Sequence, residues 1–246
     1  MLTWQKGKVV DIKQIAPTTR SFFIETIETP IFEFEAGQFI TLDLPIHTQK
    51  NRRWRSYSIA SWPNKTNIIE LVIVLLEGGA GSNYLFNETK ISDELTFRGP
   101  LGKFVLPPVL DKDLYLICTG TGIAPFRSMI HYIHQNKIPC KNIFLIFGCR
   151  TFNYCLYKDE LIQLQNKMPN FKYIPCFSRE SEIPTWGKKG YVHDAYLELI
   201  ETKKINEGIT NAYFYLCGWK NMIDEAQKKL LELGYEKKDI HYELYG

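Results

Sequence analysis

The chain has 246 residues, of which 45% are hydrophobic and 23% charged. That length holds one large domain or two ordinary ones, and that apolar content excludes intrinsic disorder. Thirty basic against 27 acidic residues leave a formal charge of +3, too small an excess to argue for a nucleic-acid partner. The first ten residues are broken by Lys6 and Lys8 and show no secretory pattern, and the longest apolar run, Ile68 to Leu76, contains Glu70 and is far too short to cross a bilayer. The expectation is a cytoplasmic protein without membrane insertion. Six cysteines, at 118, 140, 149, 155, 176 and 217, include no C-x2-C pair. This excludes zinc ribbons and the plant-type iron–sulfur spacing, and their place in apolar runs suits a reduced compartment.

Up to about residue 106 the chain reads as short strands: Lys8–Ile15, Ser21–Ile27, Gly37–Leu44, Arg55–Ser61, Ile68–Leu76 and Glu94–Arg98, each bounded by turn or polar residues. Strands at this spacing predict an antiparallel barrel or sandwich. Pro107-Pro108 interrupts the pattern, because proline donates no backbone hydrogen bond, and the expected division is 1–106 and 107–246. In the second half, apolar runs at Asp113–Cys118, Asn142–Gly148, Phe171–Phe177, Ala212–Cys217 and Ile240–Leu244 alternate with helical patterns at Pro125–Gln135, Lys158–Lys167, His193–Glu201 and Met222–Leu233. Such alternation predicts a Rossmann-like domain with a parallel five-stranded sheet.

Thr119-Gly120-Thr121-Gly122-Ile123-Ala124-Pro125 follows the first strand of that half and opens a helix. Glycines let a diphosphate approach the backbone, and the helix start offers free N–H groups. Pro125 suits a first helical turn. The loop departs from G-x-G-x-x-G at its third position, so phosphate binding and a plain tight turn both remain open on the pattern alone.

Arg55-Ser56-Tyr57-Ser58 on a strand of the first half could by itself be half-buried strand. Together with the loop above, with Gly99-Pro100-Leu101-Gly102, and with Cys217-Gly218 and Met222 in the same order, it resembles the flavin motif of the ferredoxin–NADP(+) reductase family. The resemblance runs from about Gly37 to the C-terminus. It implies an antiparallel FAD-binding β-barrel followed by an NADP(H)-binding α/β domain. Arg55 is then expected on the FAD diphosphate, where a guanidinium offers paired donors. Tyr57 is expected on the isoalloxazine, and Ser58 near flavin N5. Gly78-Gly79-Ala80-Gly81-Ser82 is similar to the second FAD segment of the family, with Gly81 and Ser82 at the diphosphate. Val72 and Val74 are expected on the strand that borders the cofactor, although many relatives carry Lys or Arg near Val74 and Leu75.

On the nucleotide side the resemblance implies that Gly120, Thr121, Gly122 and Pro125 hold the diphosphate and that Cys217 and Gly218 shape the nicotinamide pocket, without Cys217 acting as a covalent nucleophile. The last residues, Tyr242-Glu243-Leu244-Tyr245-Gly246, match a glutamate followed two residues later by an aromatic. Glu243 is expected to relay protons through Ser58 or Cys217, and Tyr245 to cover the flavin; Gly246, one residue beyond, departs from the pattern. Ser178-Arg179 after the third strand, Lys188 and Tyr191 shortly after, and Arg150 after the second strand resemble the residues that relatives use for the 2′-phosphate and adenine, which favours NADP(H). His131 and His134 lack a third ligand nearby, so no metal is expected. The basic run Asn51–Arg55 reads either as a charged loop or as a dock for an acidic electron carrier.

The implied activity moves hydride between NADP(H) and FAD, and single electrons between FAD and a ferredoxin or flavodoxin, with the chain expected to be a monomer. The alternative is an NAD(P)H-dependent flavin or quinone reductase, or the reductase component of an oxygenase system. A binding module that had lost its chemistry predicts degraded flavin motifs, whereas Arg55, Tyr57, Ser58, Cys217 and Glu243 are all present.

Overall fold

The computed structural model describes residues 3–207 and 211–245. The first part of the chain forms six antiparallel strands: β1 (Gln5–Ala16), β2 (Thr19–Thr26), β3 (Phe39–Asp43), β4 (Trp54–Ser58), β5 (Ile68–Val74) and β6 (Glu94–Leu101), in the order β4-β3-β6-β1-β2-β5. A bridge between Ile59, just past β4, and Leu71 on β5 joins the two edges and closes the barrel. Alternation sets what faces inward: Phe22 and Ile24 on β2, Ile40 and Leu42 on β3, and Leu71 and Ile73 on β5 all enter one buried core with Phe97. β1 is long enough to pair with both β2 and β6, and its register shifts at Val9/Asp11 and Gln14/Ala16, irregularities of the kind that bend a strand around a barrel.

Between β5 and β6 lies a helix that the strand pattern did not foresee, α1 (Ala80–Asn87). Its glycine-rich start reads as a turn. The helix forms because Leu85 drops into the barrel core with Tyr84 and Phe86 packed at its border.

The second part holds six parallel strands rather than the expected five: β7 (Asp113–Thr119), β8 (Ile143–Cys149), β9 (Phe171–Phe177), β10 (Lys188–Lys189), β11 (Ala212–Gly218) and β12 (Ile240–Leu244), in the order β10-β9-β8-β7-β11-β12. The extra strand is two lysines that pair with Cys176 and Phe177. It carries no apolar signature because only its backbone is used. Four helices connect the strands: α2 (Ile123–Gln135), α3 (Lys158–Lys167), α4 (Val192–Glu207) and α5 (Lys220–Glu232). The central strands are buried on both faces, which is why they read as unbroken apolar runs.

The chain gathers into two compact units. One contains the residues through Leu106 together with Ala124–Asn136, and the other contains Pro107–Ile123 and the residues from Lys137 onward. All but the first residue of α2 therefore packs with the barrel strands, although in sequence it follows the proline pair. Its Arg127 makes a buried ion pair with Glu70 of β5 at 2.7 Å and donates to the Ala60 carbonyl at 2.9 Å. Trp62 stacks on His131 at 3.9 Å, and Phe104 lies against Phe126. No helix among the described residues is long and apolar enough to cross a membrane.

Candidate functional site

In the barrel unit, β4 carries the first group of expected residues. It pairs with β3 so that Arg55 lies opposite Leu42, Tyr57 opposite Ile40 and Ser58 opposite Phe39. Arg55 and Tyr57, two residues apart, share a face. Tyr57 packs against the border of the barrel core, and that burial pushes its phenol up to about 12, against a smaller downward pull from the Arg55 charge. The ring is therefore neutral at any ordinary pH. Ser58 is buried at the end of the strand.

Arg55 is held by two hydrogen bonds from Nη1, to the carbonyls of Arg52 at 3.0 Å and Trp54 at 2.8 Å. Its stem runs over Gly81, where a Cβ would stand 2.8 Å from Arg55 Cγ. Glycine at 81 is thus what lets the arginine lie on the first turn of α1. The N–H groups of that turn have no acceptor within the helix and carry the positive end of its dipole. A guanidinium and a helix start converge there. Ser82 also holds the turn: its hydroxyl accepts from the Leu76 N–H at 3.1 Å and donates to the Gly79 carbonyl at 3.0 Å. Val72, buried, and Val74, half-buried, pair with Ser21 and Thr19 of β2.

In the α/β unit the strand order reverses between β7 and β11: the chain leaves β7 toward β8 on one side and leaves β11 toward β12 on the other. The crevice at the C-terminal ends of two such strands is where open α/β sheets bind ligands. At those ends the two loops are locked by glycine. A Cβ on Gly122 would stand 2.4 Å from the Cys217 carbonyl oxygen, and one on Gly218 (φ +144°) would stand 2.4 Å from Thr119 Oγ1. Gly120, at φ +54°, has nothing within 4 Å of its Cβ direction, so the backbone of the loop is open there. Thr119 Oγ1 is buried without a hydrogen-bond partner. Thr121 lies in the 3-10 turn Gly120–Gly122, and Pro125 follows in the first turn of α2.

The residues from the end of the chain meet this crevice. Cys217 is in register with Cys118 on one side and Glu243 on the other. Burial pushes its thiol well above the usual range, with Glu243 and then Cys118 adding to the rise and a hydrogen bond with the Tyr245 side chain opposing it. The thiol stays protonated, as a positioning role requires. The Tyr245 N–H donates to the Gly218 carbonyl at 3.0 Å. The fold thus brings Cys217, Gly218, Glu243 and Tyr245 together at one strand end; Gly246 lies outside the described residues.

The basic rim is assembled by the ladder running past the strands. The Ser178 N–H donates to the Cys149 carbonyl at 3.1 Å, and the Arg179 N–H donates to the Arg150 carbonyl at 2.9 Å. This places two exposed arginines beside one another. Lys188 is less available, because its ammonium is ion-paired with Glu198 of α4. The Tyr191 ring is 67% exposed, just ahead of α4. Among the described residues no group of three His, Cys, Asp or Glu side chains is placed to hold a metal.

Sequence reasoning missed two contributions. The α1 start was hidden because a Gly-Gly-Ala-Gly segment reads as a turn, although Tyr84-Leu85-Phe86 behind it carried an apolar signal. The Thr119 hydroxyl was passed over as part of the loop. Both features match the expected cofactors: the Arg55–α1 cradle fits a flavin nucleotide diphosphate, and the orphaned Thr119 hydroxyl beside the open Gly120 backbone fits a second one.

Two family models match the chain. Residues 6–106 match the family model of an oxidoreductase FAD-binding domain, and residues 116–228 match that of an oxidoreductase NAD-binding domain. A phenol hydroxylase P5 protein from Acinetobacter pittii is 32% identical over 242 residues, covering 98% of this chain and 65% of the relative. A ferredoxin–NADP reductase B from Sorangium cellulosum is 30% identical over 244 residues, covering 98% of this chain and 97% of the relative. A solved ferredoxin–NADP+ reductase from Neisseria gonorrhoeae with bound FAD and NADP superposes with a TM-score of 0.78 at 25% identity, over 98% of each chain. The chain therefore spans 65% of the first relative and nearly the whole of the other two.

Proposed function

The chain belongs to the ferredoxin–NADP(+) reductase family, and on that premise we propose that it passes hydride between NADP(H) and FAD and single electrons between FAD and a separate ferredoxin or flavodoxin. In sequence the flavin-binding part is residues 1–106 and the nucleotide-binding part 107–246, with the Ala124–Asn136 segment of the latter packed in the barrel unit, in a cytoplasmic monomer. The observation that carries the reading is the gathering of Cys217, Glu243 and Tyr245 beside an open glycine loop at the reversal of strand order.

Bound FAD supplies the conversion between a hydride pair and single electrons. The protein supplies binding, orientation and proton placement. Arg55 and the first-turn N–H groups at Gly81 and Ser82 hold the flavin diphosphate, while Val72 and Val74 border the flavin. Tyr57, held neutral, offers a flat apolar face to the ring system, and Ser58 a hydroxyl near N5. The backbone at Gly120, Thr121 and Gly122 takes the nicotinamide diphosphate, with Pro125 sparing a helix-start N–H. Cys217 and Gly218 shape the nicotinamide pocket. Glu243, in register beside Cys217, relays protons at that strand end. Tyr245 covers the flavin and yields to the nicotinamide, a gating step. Arg150, Ser178 and Arg179 take the 2′-phosphate, and Tyr191 flanks the adenine, with Lys188 contributing only after leaving Glu198.

A second reading, the reductase component of an oxygenase system or an NAD(P)H-dependent flavin or quinone reductase, is favoured by the 32% identity to the phenol hydroxylase P5 protein. Anaerobic stopped-flow absorbance separates the two. Fast flavin bleaching by NADPH and slow bleaching by NADH support the first reading. Equal bleaching, or faster bleaching by NADH, supports the second. No bleaching by either nucleotide refutes both.

A further inference from the structure

The proposed chemistry leaves a second sulfur cluster unused. Cys149 is the last residue of β8, and Cys155 comes six residues later. The intervening segment folds back on itself, the Tyr154 N–H donating to the Thr151 carbonyl and the Cys155 N–H to the Phe152 carbonyl, each at 3.0 Å. This turn returns Cys155 to the strand end, and the two thiols are hydrogen-bonded to one another. Cys155 Sγ is also 3.3 Å from the Tyr173 hydroxyl. Both cysteines are half-buried, whereas Cys118, Cys176 and Cys217 are buried. Cys140, the remaining one, is engaged by the Asn170 amide at 3.2 Å.

The pair is asymmetric. The hydrogen bond from Cys149 holds the Cys155 thiol below its usual range, helped by Tyr173 and the Lys158 ammonium and opposed by burial. The same hydrogen bond, with burial, holds Cys149 high. Cys155 is therefore the more acidic sulfur of the pair, and Cys149 is the neighbour placed to resolve what it forms.

We propose that Cys149 and Cys155 are a reversible dithiol–disulfide site, closed by exchange with a small-molecule disulfide. The Cys155 thiolate attacks one sulfur of the incoming R–S–S–R and expels one thiolate, which takes up a proton. The chain now carries Cys155 as a mixed disulfide. Loss of the Cys155 thiolate removes the hydrogen bond that most strongly held the Cys149 proton. Cys149 gives up that proton, attacks Cys155 Sγ, and expels the second thiolate, which is protonated in turn. Two hydrogens and two electrons pass from the protein pair to the small disulfide, which leaves as two thiols.

Closure has a consequence nearby. The Cys149 carbonyl accepts from Ser178 and the Arg150 carbonyl from Arg179, so tightening this turn shifts the joined ends of β8 and β9 that the two arginines follow. That consequence, unlike the bond, rests on the 2′-phosphate reading.

The test uses the reduced holoprotein incubated with glutathione disulfide, quenched in acid, alkylated, and examined by intact mass and peptide mapping. The expected product has lost two hydrogens, carries a Cys149–Cys155 linked peptide, and returns to the dithiol with dithiothreitol. Cys149→Ser should stop at a glutathione adduct on Cys155, Cys155→Ser should form neither, and Cys176→Ser should close as the wild type does. Full alkylation of both cysteines after oxidation, linkage of either to another cysteine, or a wild-type adduct that does not resolve overturns the proposal. In the same samples a closed disulfide should raise KM for NADPH several-fold with kcat little changed; an unchanged KM with the linked peptide present overturns the coupling alone.

Discussion

Gly122→Ala is the most direct probe of the nucleotide loop. The added methyl would stand 2.4 Å from the Cys217 carbonyl oxygen, 2.7 Å from its carbon and 3.1 Å from the Gly218 nitrogen. All three are backbone atoms, so no side chain can rotate out of the way. Ordinary contact begins near 3.4 Å, so the loop and the end of β11 must separate by about 1 Å. Overpacking of this kind costs about 1–3 kcal/mol, and a backbone clash belongs at the upper end. For a chain of this size about 3 kcal/mol lowers Tm by roughly 6–12 °C. The same displacement removes the alignment of Thr119 and Gly120 with Cys217 and Gly218, so nucleotide affinity should fall by at least tenfold, about 1.4 kcal/mol. Gly120→Ala is the control. It meets no atom within 4 Å and suffers only from its φ of +54°, a strain of about 1 kcal/mol and roughly 2–4 °C. Thermal melting by circular dichroism and titration with NADP+ by flavin difference absorbance read both effects. A Gly122→Ala protein that melts with the wild type, or no lower than Gly120→Ala, would refute the packing argument.

Arg55→Ala removes paired charged donors and should weaken FAD binding by roughly tenfold or more; retention of flavin through ultrafiltration at the wild-type level would contradict the cradle at Gly81. Arg179→Ala should raise KM for NADPH about five- to tenfold and leave NADH almost unchanged, and equal losses for both nucleotides would sink the 2′-phosphate role. Tyr245→Ser should increase turnover with NADH relative to NADPH, and an unaltered ratio speaks against a covering ring. Burial holds the imidazoles of His193 and His241 below their ordinary value. The unfolded chain therefore takes up protons first as pH falls below about 6.5, and stability is lost from there downward to the folded pKa values. Urea unfolding of a His193→Gln/His241→Gln double variant should show a smaller drop between pH 7.5 and 5.5 than the wild type.

What the sequence revealed and what it hid divide along physical lines. Strands buried on both faces, such as Asp113–Thr119 and Phe171–Phe177, announce themselves as apolar runs, and the glycine loop after the first of them stood out because its composition serves backbone geometry. The segments that escaped were those stabilised from a distance. α1 runs through Gly81, Ser82 and Asn83, which disfavour helices, and is rescued by Leu85 in the barrel core. The Lys188–Lys189 strand exists only because Cys176 and Phe177 offer it an edge. The site followed the same rule. Arg55, Gly122 and Cys217 could be named from motif order, but that Ser82 holds a turn and Lys188 is ion-paired with Glu198 depends on neighbours far away in sequence, which no local pattern encodes.

The placement of α2 bears on how this chain can be dissected. A cut at the proline pair would look like a natural seam, yet it would leave the barrel without Arg127, whose guanidinium lies 2.7 Å from the buried Glu70 carboxylate and over Trp62. Stripping one partner from a buried ion pair costs about 3–5 kcal/mol, a large share of a small domain's stability. Phe104 and Trp62 would also lose the rings they pack on. A fragment ending at Leu106 should therefore be a poor folder, and an autonomous flavin module from this chain has to be built by carrying the Ala124–Asn136 segment with it, for instance by circular permutation, rather than by truncation.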